Sequence, residues 1–196
     1  MRFIYLFLAC AIGLMACNNT PNKTASIDDT LNKTIAAAEK LPVSALNDNG
    51  TQTLLEVVNK YYDVKNALVA IDARRVDSSA HKLVIAADSL KALLQKDKTQ
   101  QQLLPYTDTI LMTAKAITGS KDATCEAQRV PFSKLSDAFF VLLQKVQLKN
   151  AHVYLEHCPM ALNEKGANWL SDESEIKNPY FGKKMLECGD VEDSLK

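Results

Sequence analysis

The chain has 196 residues, 47% of them hydrophobic and 23% charged, with 6 Gly, 6 Pro and no formal net charge. This length can bury one core and makes a single domain the default. Balanced charge argues against nucleic acid and against an electrostatically held membrane face. Little Gly or Pro, with abundant Ala, Leu and Lys, fits an α-rich fold.

The first elements read as an export signal. Basic Arg2 is followed by an almost unbroken apolar run, Phe3 to Met15. The run is short for a bilayer span and right for a signal-peptide core. It ends in Leu14-Met15-Ala16-Cys17, which resembles the lipobox of bacterial lipoproteins. That resemblance implies residues 1–16 as a cleaved signal peptide and Cys17 as the lipidated residue, anchored through two or more acyl chains. An ordinary secretory signal with a chance Cys is the alternative. Either way the mature protein is expected in the cell envelope, where disulfides are permitted. Cys10 falls in the removed segment. Cys125, Cys158 and Cys188 remain as thiols, so at least one lies outside any intramolecular bridge.

Residues 17–50 are rich in Asn, Thr, Ser, Asp and Lys and read as a flexible tether, with a weak helix over 27–41 and Asn47-Asp48-Asn49-Gly50 closing it. Residues 51–196 read as one helical-bundle domain. Thr53 with Glu56 forms a capping-box pattern. Leu54, Val57, Tyr61, Val64, Leu68 and Ile71 then recur at spacings of three and four, an apolar stripe on one helix face. Residues 72–77 read as a turn, with Asp77 or Ser78 capping a second helix striped by Ala80, Leu83, Ala87, Leu90 and Leu94. After a polar turn at 96–102, a third helix carries Leu103, Thr107, Ile110, Ala114 and Ile117, with Pro105 in its first turn and Gly119 ending it. A fourth carries Phe132, Leu135, Phe139, Leu142 and Val146, with Pro131 near its start and 123–129 as a helical turn before a kink. Four such stripes predict an all-α antiparallel four-helix bundle. The aromatic stripe members are read as core, Cys125 as a buried structural thiol, and His81 and His152 as ordinary histidines.

The pattern changes at 151–191. His152 to Glu156 suits an extended segment, or the fourth helix runs on to Pro159. Beyond it comes an irregular Cys/Met-containing segment that must pack across the bundle. It holds His157-Cys158-Pro159-Met160, Gly166, Trp169-Leu170-Ser171, Asn178-Pro179-Tyr180-Phe181-Gly182 and Met185-Leu186-Glu187-Cys188-Gly189. Cys158-Pro159-Met160-Ala161, Gly166 with Trp169-Leu170-Ser171, Ile176 with Asn178-Pro179-Tyr180-Phe181-Gly182, and Met185-Leu186 with Cys188-Gly189, together with Tyr61-Tyr62, Lys65, Ala67, Leu68, Arg129, Phe132, Leu135 and Ser136, resemble a family of uncharacterised Bacteroidetes-type envelope lipoproteins over residues 51–191. That domain also occurs fused to periplasmic adaptor (membrane-fusion) subunits of heavy-metal efflux pumps. The resemblance implies an association with copper and related cations, and an efflux adaptor or another envelope protein as partner.

The residues themselves point to soft-ligand chemistry. Thiolates and thioethers select Cu(I) over Mg, Ca or Mn. Cys158-x-Met160 and Met185-x-x-Cys188 are two soft pairs, the second three apart and so on one face of a short helix. His157 adds an auxiliary imidazole or lowers the neighbouring thiol's pKa. The expected metal set is therefore Cys158, Met160, Met185, Cys188 and His157, converging on Cu(I). The lack of Cys-x-x-Cys excludes a zinc ribbon and a thioredoxin-like motif. A second reading stays open: Cys158 and Cys188 form a disulfide stapling an interaction module that presents Trp169 and Tyr180. Trp169 then anchors the segment, and Asn178, Pro179, Tyr180 and Gly182 form its turn. No Gly-x-Ser-x-Gly, phosphate-cradling Gly loop or His-Glu-x-x-His occurs, so nothing suggests an enzyme. Asn18 after Cys17 favours the outer membrane, facing the periplasm.

Overall fold

The structure, a computed structural model, describes residues 41–195. Residues 1–40, on which the expected signal peptide, Cys10, Cys17 and most of the expected tether fall, lie outside the described residues. No helix among the described residues is long and apolar enough to cross a membrane.

Four long helices follow one another: α1 Asp48–Ala70, α2 Ala73–Lys96, α3 Leu104–Ile117 and α4 Glu126–Lys145. The expected stripes are the buried faces. Leu54, Val57, Tyr61, Val64 and Leu68 of α1 are fully buried, as are Leu83 and Ala87 of α2, Ile110 and Ala114 of α3, and Phe132 and Phe139 of α4. Each helix packs on the next in sequence, as short connections require.

The boundaries differ from the sequence expectation because caps, not stripes, set them. The stretch 47–50 opens α1 rather than closing a tether: Asn47 is the N-cap, and its side chain accepts from Gly50 N at 2.8 Å. Residues just before it are packed, with Val43 bridging Lys149 and Leu46 buried. The expected turn at 72–77 is the first turn of α2, capped by Asp72 through Arg75 N. Asp77 instead accepts from Gly119 N at 2.7 Å, fixing the loop after α3. The polar turn before α3 is a 3-10 helix, Lys98–Leu103. Pro131 lies inside α4, beyond its first turn.

The fold is not purely all-α. Three antiparallel strands follow α4: β1 Val153–Cys158, β2 Ala167–Ser171 and β3 Asp190–Leu195, in the order β2–β1–β3. Chain 153–158 is thus extended and does not prolong α4, while His152 just before it has a φ of 46°. Tyr154 pairs with Ser171, Glu156 with Trp169 and Cys158 with Ala167. Between β1 and β3 the register shifts at Leu155/Glu156.

The sheet completes the bundle. The α1 and α4 backbones are joined through aromatic side chains rather than closely packed. Tyr61 stacks on Phe132 at 5.4 Å and meets Phe139 at 4.8 Å. Strand β2 packs against both helices. It is an edge strand, and unpaired edge groups are costly when buried. Two tyrosines satisfy them. Leu170 N donates to the Tyr61 hydroxyl at 2.9 Å, leaving that phenol to donate to Ser136 at 2.7 Å. The Tyr180 hydroxyl donates to Asn168 O at 2.6 Å.

Candidate thiol site

The site is built where β1 ends. Side chains alternate along a strand, so Glu156 and Cys158 share one face and His157 takes the other. Cys158 is fully buried. His157 lies 3.6 Å (Nδ1) from Glu192 and close against Gly166. A Cβ at Gly166, where φ is +75°, would come within 2.8 Å of its Nε2.

The chain returns to β1 through a clamp centred on Asn178, itself fully buried. Its Oδ1 accepts from Tyr180 N at 2.7 Å and Phe181 N at 3.3 Å, while its Nδ2 donates to Cys188 O at 2.6 Å. Its backbone N–H donates to Leu186 O at 2.8 Å. Asn is suited to this because one side chain supplies both a donor and an acceptor. Pro179 O accepts from Arg129 Nε at 3.1 Å, tying the clamp to α4. Gly182, at φ +55°, passes so close to α1 that a Cβ would meet Ile71 at 2.8 Å and Val69 O at 2.9 Å. Gly189 is equally constrained: its φ is +140°, and a Cβ would fall 2.7 Å from His157 O and 2.8 Å from Trp169 Cη2. Only glycine lets the backbone there settle on β1.

The outcome is one close pair. Cys158 Sγ and Cys188 Sγ, thirty positions apart in sequence, stand 2.9 Å apart. That is longer than an S–S bond of about 2.05 Å and closer than unbonded sulfurs usually approach, so the pair is placed to bridge or to share one cation. The hydrogen bond that the Cys188 thiol gives to Cys158 is the main cause pushing it up to about 11, with burial and the charges of Cys158 and Asp190 adding to it. Both sulfurs must lose protons to bind a cation or to react.

The five expected ligands do not converge as a set. The two thiols meet. His157 projects from the opposite face of β1, Met160 is half-exposed in the turn after Cys158, and Met185 lines a separate cleft beside Arg129. Met185 and Cys188 are not on a short helix. The 3-10 turn is Gly182–Lys184, and Met185 has left it with φ −146° and ψ 61°. Among the described residues, no group of three or more His, Cys, Asp or Glu is placed to hold a metal ion. Trp169 is a fully buried anchor, edge-on to Tyr180 at 5.9 Å. Cys125 is a separate buried thiol, raised in pKa by that burial.

Sequence reasoning missed a buried polar cluster beside the thiols. Lys65 is 2% exposed, and its Nζ donates to Ser171 Oγ at 3.2 Å and reaches Asp172 at 3.4 Å. Glu156 is fully buried, and neither carboxyl oxygen closes a hydrogen bond among the described residues. The Trp169 indole N–H approaches it without closing a good bond. Burial pushes the Glu156 carboxyl up to about 7, with Lys65 and Trp169 opposing the shift. The signals were present: Lys65 lies four residues after Tyr61, at the margin of the α1 stripe, and Glu156 alternates with Cys158.

Residues 57–151 match the model of a family described as a protein of unknown function (DUF3347). The match spans most of α1 through α4 and ends before β1, so it does not include the thiol pair. No curated protein matches the chain, and no solved structure does.

Proposed function

We propose that this is a lipid-anchored envelope protein, not an enzyme, that binds Cu(I) or a similar soft cation at the Cys158–Cys188 pair. It buffers the cation or passes it to an efflux adaptor or another envelope partner. The observation that carries the reading is the thiol contact itself, held by Asn178 and Gly189. Two soft sulfurs suit a low-coordinate soft ion and suit Mg or Ca poorly. At metal–sulfur distances of about 2.3 Å the sulfurs must separate for an ion to enter between them. Cys188, on the partly exposed turn, is the one placed to move. Met160, half-exposed, and Met185, on a separate cleft, are no part of this two-sulfur site, and His157 faces away from it. Anchoring through Cys17, association with Bacteroidetes-type envelopes and an outer-membrane position facing the periplasm belong to the same proposal. They rest on the lipobox and on the motif resemblance. Replacing either Cys158 or Cys188 with Ser should abolish tight Cu(I) binding while the helical signal stays intact. Unchanged affinity in both variants would remove the assignment.

The short Sγ–Sγ distance and the complete burial of Cys158 favour a second reading, a disulfide-stapled interaction module. Such a bridge would stabilise the terminal segment by about 3 kcal/mol. Counting thiols in protein taken from the envelope without reductant separates the two.

A further inference from the structure

A second feature lies apart from the thiols. A cleft of about 650 Å³ opens between the start of α4, the residue after α1, the turn at 161–164 and the Asn178 clamp. Its size falls in the range of small-molecule sites, which are mostly apolar with a few placed polar groups. Ile71, Val130, Leu162, Phe181 and Met185 give it apolar walls. Arg129 and Lys184 are its cations and Glu126 its one acidic residue, leaving one positive charge over.

Arg129 makes the cleft more than a dent. Its side chain is 4% exposed, yet it lines the cavity. Its Nε is committed to Pro179 O, which fixes the guanidinium plane. Among the described residues the remaining charge is met by Glu126 Oε1 on Nη1, and that carboxylate belongs to a 64%-exposed side chain. A buried arginine opposed by a surface carboxylate is a counter-ion arrangement that another carboxylate can enter, because Arg–carboxylate pairing strengthens as water is excluded. The backbone around the rim is held at positive φ: Ile71, Leu162 and Asn163 have φ of 56°, 53° and 60°. Ile71 takes it as the C-cap of α1 and Asn tolerates it, so Leu162 is the one of the three for which it is unusual.

We infer that the cleft between Arg129, Lys184 and the apolar wall Val130–Leu162–Phe181 binds a small amphipathic organic anion, its carboxylate at Arg129 and its apolar body along the wall. This inference stands apart from the cation reading, since none of the lining residues is a cysteine.

The test titrates the protein with 4-phenylbutyrate and with its neutral amide, following backbone resonances by NMR. The expected result is saturable binding of the acid with shifts at 126–130, 162–163 and 181–185, and about fivefold or more weaker binding of the amide. Glu126→Gln, which removes the competing carboxylate, should tighten the acid about threefold or more. Lys184→Glu should weaken it. Val130→Asp changes a residue that is already half-exposed, so the fold should survive while binding is lost. Equal affinity for acid and amide, weaker binding in Glu126→Gln, no saturable binding, or binding untouched by Val130→Asp would each overturn the inference.

Discussion

Glu156→Gln should stabilise the protein at pH 8 and remove a pH dependence that the wild type shows. Both Glu156 oxygens are buried without a hydrogen-bond partner among the described residues, and the carboxyl is raised from 4.5 to about 7. Below pH 4.5 the group is protonated in folded and unfolded chains alike and carries no penalty. Between 4.5 and 7 the unfolded chain ionises first, so folding loses stability as pH rises. Above 7 the full cost is present. The shift corresponds to about 3 kcal/mol at 1.36 kcal/mol per unit, and about 2 kcal/mol after a discount for solvent screening. Urea unfolding at pH 5 and pH 8 measures it. The wild type should lose about 2 kcal/mol more over this interval than Glu156→Gln, whose neutral amide does not titrate. Because other titrating groups are common to both proteins, the difference isolates Glu156. Equal pH dependence in the two, or a Glu156→Gln less stable at pH 8 than at pH 5 by the wild-type margin, would refute the reasoning.

Three further outcomes follow from the same geometry. Asn178→Ala removes three side-chain hydrogen bonds at a fully buried position and should cost about 3 kcal/mol, while making Cys188 react faster with a disulfide reagent in the folded state. Gly189→Ala meets both a positive φ and a backbone oxygen at 2.7 Å. It should cost about 2 kcal/mol and slow air oxidation of the pair, measured as loss of free thiol with time. Lys65→Met takes from Glu156 the cation that opposes it, so its destabilisation, about 3 kcal/mol at pH 8, should shrink markedly at pH 5, where the carboxyl is protonated.

The helices were legible because a stripe such as Leu54, Val57, Tyr61, Val64 and Leu68 depends only on the period of the chain. Their ends were less so. Asn47 and Asp72 are both ordinary polar residues in polar stretches, and only the geometry of a cap distinguishes them from a turn. The sheet was half visible in the composition of 152–156. Its partners β2 and β3 are short, and their pairing joins residues far apart in sequence. The two thiols were picked out by chemistry, and their contact depends on Asn178 and Gly189, whose roles no local pattern reveals. The thioether and imidazole ligands were inferred from proximity in sequence, and strand alternation sends His157 away from Cys158. Lys65 is buried by Ser171, more than a hundred residues on, so its place in the core cannot be read from α1 alone.

The claim that Cys158 and Cys188 act as one soft-cation site is tested most directly by an anaerobic Cu(I) competition titration of the reduced protein, with reactive thiols counted at each point. Trp169, the chain's one tryptophan, reports on the same pair through the Gly189 contact. The account predicts saturation at one Cu(I) per chain against a strong chelator, with both thiols protected together and Trp169 emission changing in step. Failure of the folded, fully reduced protein to compete for Cu(I), or protection of one thiol without the other, would contradict it.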